Sequence, residues 1–193
     1  DDIFTFPGWS SAELFGNDNP VHVEYCSGNG AWIADKALKN PSINWVAVEM
    51  KFERVRKIWS KIKNLQLPNL VVIAGEGFHA TRSYFPEASV SAVYINFPDP
   101  WPKKRHAKNR LIQDPFADEM ARIMKNEAVF MFVTDDAPYS EWFIEVLNRN
   151  QRFTSMVPAP YYLTDEDGYG SSYFDQLWRS KGRVIRYHRY RKV

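Results

Sequence analysis

Residues 21–30 read VHVEYCSGNG: Val21, Val23 and Tyr25 alternate as in a strand, a glycine-containing turn follows, and residues 31–39 continue at once in helical sequence. A strand that passes through such a turn into a helix opens a β-α-β unit. The pattern recurs. Strands read VHVEYC (21–26), NWVAVE (44–49), NLVVIA (69–74), VSAVYINF (90–97) and AVFMFVT (128–134). Between them Phe52, Val55, Ile58, Trp59 and Ile62 fall at helical spacing, as do Phe116, Met120, Ile123 and Met124, and then Tyr139, Trp142, Phe143, Val146 and Leu147. These stripes are expected to face the core. Asn40-Pro41 and Leu67-Pro68 each stop a helix just before the next strand. The alternation over 21–150 predicts an α/β fold, a mostly parallel sheet with helices on both faces.

Residues 1–20 read as a lead-in. After residue 150 the period is less regular: an aromatic, glycine-containing stretch (Tyr161 to Phe174) leads into a basic, β-prone tail. Residues 151–193 are expected to form a long substrate-side loop and one or two final strands of the same sheet, so that 1–193 is one domain. With 193 residues, 45% of them hydrophobic, the chain is long enough to bury a sizeable core.

Several classes are excluded. No apolar run approaches the ~20 residues that cross a bilayer, and the first twenty residues carry four acids and no Lys or Arg, so neither a membrane span nor a signal peptide is expected. Cys26 is the single cysteine, which excludes an intramolecular disulfide and suits the cytoplasm. His22, His79, His106 and His188 lack ligand spacing, and no metal is expected. Neither a phosphate loop nor a nucleophile elbow is present.

The net charge of +2 hides an asymmetry. Residues 101–110, WPKKRHAKNR, hold five Lys/Arg and no acid; residues 179–193, RSKGRVIRYHRYRKV, hold seven and no acid. Setting these aside leaves 13 basic against 23 acidic residues, a balance of −10. Positive charge concentrated on an otherwise acidic chain points to a polyanion, and specifically to nucleic acid.

In open α/β sheets the ligand crevice lies at the carboxyl ends of the strands. The first strand ends in Glu24 and the Gly28-Asn29-Gly30 turn, where glycine lets the backbone approach a ligand closely. Glu49 ends the second strand, 21 residues past Gly28, where a carboxylate can take both hydroxyls of a ribose. A full dinucleotide fingerprint is missing, since Ile33 stands three residues after Gly30. An adenosine cofactor without a pyrophosphate is therefore favoured, and S-adenosylmethionine fits. The third strand ends in Gly75-Glu76-Gly77, and Glu76 can accept from an adenine amine or stand as a solvated loop carboxylate. The fourth ends in NFPDPWPKKRH, Asn96 to His106, where three prolines and a tryptophan stiffen a loop around Asp99.

With Glu24 to Gly30, Glu49, FPDPWPKKRHAKNR (97–110), Thr134-Asp135 and Tyr139 on the page, the chain resembles the bacterial-type tRNA (guanine-N7-)-methyltransferases over roughly residues 20–182. The resemblance implies a Rossmann-like S-adenosylmethionine-dependent fold and methylation of a variable-loop guanine in tRNA. It implies that Glu24, Gly28, Gly30, Glu49 and Glu76 hold the cofactor. It makes Asp99 the central active-site carboxylate, gives Lys103, Asp135, Ser172 and Asp175 to the substrate, and sets Arg105, Lys108 and Arg110 against RNA. Three departures stand out: Cys26 replaces the family's glycine, Ser172-Tyr173-Phe174-Asp175 replaces Thr-x-x-Glu, and Leu177 takes a usually basic position.

The chemistry is coherent, because guanine N7 is a lone-pair nucleophile with no proton to lose, so attack on a sulfonium methyl needs alignment more than a base. Two other readings remain open: an amino-group N-methyltransferase, whose Pro-rich loop lacks an acid like Asp99, and a non-catalytic RNA-binding module on a methyltransferase scaffold.

Overall fold

A computed structural model describes residues 5–170 and 172–193. Seven strands form one sheet: β1 (Val21–Tyr25), β2 (Asn44–Glu49), β3 (Leu70–Ala74), β4 (Val90–Asn96), β5 (Met124–Thr134), β6 (Phe153–Ser155) and β7 (Arg186–Lys192). The helices are α1 (Ala31–Lys39), α2 (Phe52–Asn64), α3 (Gly77–Tyr84), α4 (Asp114–Ile123), α5 (Ala137–Arg149) and α6 (Tyr173–Ser180). The strand order is β3-β2-β1-β4-β5-β7-β6. The first five strands are parallel, and β7 runs antiparallel between β5 and β6. Chain direction across the sheet reverses between β1 and β4, which opens the ligand crevice at their carboxyl ends.

The larger core lies on one face, where Val23, Tyr25, Phe130 and Phe132 of the sheet meet Phe116 of α4 and Phe143 of α5. Phe132 and Phe143 stack with centroids 4.3 Å apart. Trp9 and Phe15 of the lead-in join the same core. The smaller core on the other face gathers Trp32, Ile33, Trp45 and Ile58 under α1 and α2.

Three expectations change, and two short helices appear that no expectation covered. The α2 stripe faces the core only in part: Ile58 is buried and Ile62 packs against the smaller core, while Phe52 and Trp59 are 70% and 53% exposed. The cause is position, since α2 leads into the edge strand β3, whose half-buried face offers little surface to cover a wide stripe. Met124 does not end the α4 stripe but begins β5, fully buried and paired with Val90 before a register shift. Helices α3 and α6 have eight residues each, too short for a periodic signal. Finally, β7 is an interior strand, and its basic residues are engaged within the protein, as set out below.

Candidate active site

Strand ends supply the site. At the end of β1 the Glu24 carboxylate is buried; Asn96, ending β4, donates its amide to Glu24 Oε2 at 2.7 Å. Glu24 Oε1 is buried and has no partner among the described residues. Burial pushes the Glu24 carboxyl up to about 7. The Tyr169 hydroxyl donates to Asn96 Oδ1, which fixes the orientation of the amide toward Glu24. Burial holds the Tyr169 phenol well above its ordinary range, so it remains a donor.

Beyond β1 the chain turns through Cys26, Gly28 and Gly30, all at positive φ. A Cβ on Gly30 would lie 2.7 Å from Ile58 Cγ1, so only glycine lets α2 sit this close. A Cβ on Gly28 would meet nothing within 4 Å, which leaves its backbone open to a ligand. The Gly28 amide donates to Glu49 Oε2 at 2.8 Å and the Lys51 amide to Glu49 Oε1 at 3.0 Å, so the carboxylate ending β2 ties both crevice walls together. Cys26 is open to solvent on one side. Crowding by protein on the other, then the carboxylates of Glu49, Glu24 and Glu76, push its thiol up to about 12. Glu76 is not a plain loop carboxylate: it caps α3, accepting from the Phe78 and His79 amides at 3.1 and 3.0 Å.

The loop after β4 is held in an unusual backbone. Phe97 and Trp101 both adopt positive φ, a costly state for bulky side chains that marks functional loops. Between them Asp99 is exposed, with one long contact from the Trp101 amide at 3.3 Å. Arg110, expected at the RNA, is 8% exposed, donates Nε to the Pro100 carbonyl at 2.8 Å, and lies over Tyr139 and Trp142 at 5.0 and 5.2 Å. It braces the loop from beneath. Lys103, Lys104, Arg105 and Lys108 are exposed and form no ion pair among the described residues.

At the end of β5, Asp135 pairs with Arg183 at 2.5 Å. Ser172 caps α6 by accepting from the Asp175 amide at 3.1 Å. Asp175, expected at the substrate, is 6% exposed and accepts from Arg179 Nε at 2.8 Å and the Tyr187 hydroxyl at 2.6 Å, bracing α6 to β7. The rest of the basic tail is similarly engaged. Arg189 pairs with Glu166 and Arg191 with Glu127 at 3.2 Å; Lys192 donates to the Met124 carbonyl, and Arg186 lies over Tyr162. Four of the seven basic residues in 179–193 thus pair with acids in place. Asn96 and Tyr169, which orient Glu24, carried no sequence signal beyond Asn96 ending an apolar run.

This strand order, with acids at the ends of β1 and β2 around a glycine turn, defines the Rossmann-like methyltransferase class. The fold is similar to that of the 16S rRNA methyltransferase KamB, at a TM-score of 0.67 and 16% identity over 100% of this chain and 96% of that one. It is also similar to TrmN from Thermus thermophilus, at 0.66 and 14% over 91% and 45%. The family model described as putative methyltransferase matches residues 18–187. A protein of Chlamydia caviae named tRNA (guanine-N(7)-)-methyltransferase is 43% identical over 96% of this chain and 81% of its own length. A protein of Streptococcus pneumoniae with the same name is 32% identical over 90% and 82%. The chain belongs to the tRNA (guanine-N(7)-)-methyltransferase family.

Proposed function

We infer that the protein transfers a methyl group from S-adenosylmethionine to N7 of a guanine in tRNA, and that this guanine lies in the variable loop. The observation that carries the reading is Glu24: a buried carboxylate with one oxygen unpartnered, facing a glycine turn at the switch point of the sheet. A buried anionic acceptor left unsatisfied is costly without a cationic donor, and the α-ammonium of the cofactor is such a donor. A pure RNA-binding module has no use for this arrangement.

The residues fit the cofactor. Glu49 keeps lone pairs free for ribose hydroxyls while anchoring the turn through Gly28; Glu76 can accept from the adenine amine at the head of α3; Gly28 and Gly30 allow the backbone to come close. When bound, S-adenosylmethionine supplies an electrophilic methyl on a sulfonium.

The protein's part is alignment. Asp99, on its stiff loop, accepts from the N1 and N2 donors of guanine and favours the cation that forms as N7 is alkylated. No general base is required, because N7 carries no proton. Lys103, Arg105 and Lys108 face the phosphates, and Asp135 and Ser172 line the substrate side. Protein groups reach bases poorly in the deep groove of folded RNA, so the target guanine is met exposed or flipped. A tRNA substrate, and the absence of a long apolar helix among the described residues, fit action in the cytoplasm.

Incubation with labelled cofactor and unmodified tRNA, followed by nucleoside analysis, tests the reading directly. The label is expected in 7-methylguanosine, and Asp99→Ala should abolish transfer while leaving cofactor affinity within a few-fold. Label in another nucleoside, or equal loss of affinity and activity in Asp99→Ala, would overturn the assignment.

A further inference from the structure

A second uncompensated positive surface among the described residues lies outside the site. Residues 51–64 carry six Lys/Arg, namely Lys51, Arg54, Arg56, Lys57, Lys61 and Lys63, against the single acid Glu53. None of the six forms an ion pair among the described residues. That single acid hides the run from a search for acid-free segments. Phe52, Arg56, Trp59 and Lys63 recur at spacings of four, three and four, which aligns them along one side of α2. All four are exposed, and Lys63 Nζ lies 4.5 Å from the centre of the Trp59 ring. The result is a stripe in which aromatic faces alternate with cations.

We propose that this stripe of α2 is a second docking surface for the tRNA, gripping a part of the molecule away from the methylated guanine. The proposal rests on the function proposed above. Exposed aromatic rings between cations are the elements that hold nucleic acid without reading sequence: bases or riboses stack on the rings while phosphates meet the charges. A lipid surface fits less well, because a helix lying on a membrane needs its continuous apolar face free. In α2 that face is used inward, with Ile58 buried and Val55 and Ile62 half-buried.

The geometry suits a large substrate. Helix α2 starts three residues after Glu49, at the crevice rim, and its 13 residues run about 20 Å away from it. A short RNA carrying the target guanine would fill the crevice without reaching the far end of α2, whereas an entire tRNA spans both.

The test measures equilibrium binding of full-length tRNA and of a short hairpin bearing the target guanine, as a function of salt, which does not depend on methyl transfer. The variants are Arg56→Ala/Lys57→Ala/Lys63→Ala, Trp59→Ala and Trp59→Phe, all at exposed positions. For full-length tRNA the triple variant should lower the slope of log affinity against log salt by about 2 to 3. Trp59→Ala should weaken binding about tenfold, with Trp59→Phe retaining most of it. Hairpin binding and cofactor affinity should not change. An unchanged slope and affinity for full-length tRNA would overturn the proposal. So would loss of binding to vesicles of anionic phospholipid in Trp59→Ala with tRNA binding intact, which would assign the stripe to a membrane. If the unaltered protein binds tRNA through α2 but methylates none, the proposed function fails and the docking surface stands.

Discussion

Asn96, the last residue of β4, donates its side-chain amide to Glu24, the penultimate residue of β1, across 2.7 Å and 72 residues of sequence. The bond leaves the second Glu24 oxygen unpartnered, so the state of this carboxyl depends on what enters the crevice. Burial pushes it up to about 7, so the folded protein without cofactor holds a proton that the unfolded chain releases at an ordinary carboxylate value of about 4.3. The contribution of Glu24 to the stability of the free protein is therefore fully present below that ordinary value and is lost as pH rises through about 7. A cationic ligand reverses the preference and expels the proton. Cofactor affinity measured by calorimetry should rise between pH 6 and 8, with an apparent enthalpy that depends on the buffer, and Glu24→Gln should remove both effects. Affinity that is flat with pH in the unaltered protein would separate Glu24 from the ligand.

Glu49 serves the turn and the ligand together, since its two oxygens accept from Gly28 and Lys51. Glu49→Ala should weaken S-adenosylmethionine binding by about 1.5 to 3 kcal/mol, the scale of a charge-assisted hydrogen bond, or roughly ten- to a hundredfold in Kd. An unaltered calorimetric Kd would move the ribose elsewhere in the crevice.

Three sets of basic residues should behave differently in a salt titration of tRNA binding. Lys104→Ala/Arg105→Ala/Lys108→Ala, all free and exposed, should lower the slope by about 2 to 3. Arg186→Ala/Arg189→Ala/Arg191→Ala should leave it nearly unchanged, because two of the three pair with acids and Arg186 is engaged with Tyr162. Arg110→Ala should also spare the slope but cost about 1 to 3 kcal/mol of stability and depress kcat by loosening the Asp99 loop. A tail variant with the larger change in slope would restore β7 as an RNA contact.

Cys26 holds a left-handed conformation at φ 56° without being glycine, a state that costs an L-residue roughly 1–2 kcal/mol. Cys26→Gly should raise stability by about 1 kcal/mol, after the greater freedom of glycine in the unfolded chain is set against the relieved strain. Cys26→Ala should give no such gain. Thermal unfolding of the two variants checks this, and a lower Tm for the glycine form would refute it.

The strands and their crevice ends were legible because the apolar runs are long and each is punctuated by Gly, Pro or an acid. Glu24, Gly28 and Glu49 come together because register follows from such runs. What escaped has physical reasons. The α2 stripe has the right period, but its exposure depends on β3 being an edge strand, a matter of sheet order that period does not reveal. Arg110 and Lys108 belong to one basic run, yet a 3-10 turn over Lys104–Asn109 sets Arg110 against the Tyr139 ring and leaves Lys108 in solvent. The sequence around Asp175 gives no sign that Tyr187, twelve residues on, folds back onto it.

The insertion of β7 between β5 and β6 sets the order in which the sheet can be completed. Strand β6 touches only β7 within the sheet, so it has no partner until residues 186–192 have been made. Until then β5 presents AVFMFVT with an unpaired edge, a run of high β-propensity and no charge that can recruit a similar strand from another chain. Nascent or prematurely terminated chains that stop short of β7 therefore expose an aggregation-prone segment of the sheet, and their solubility should depend on chaperones that shield extended apolar edges.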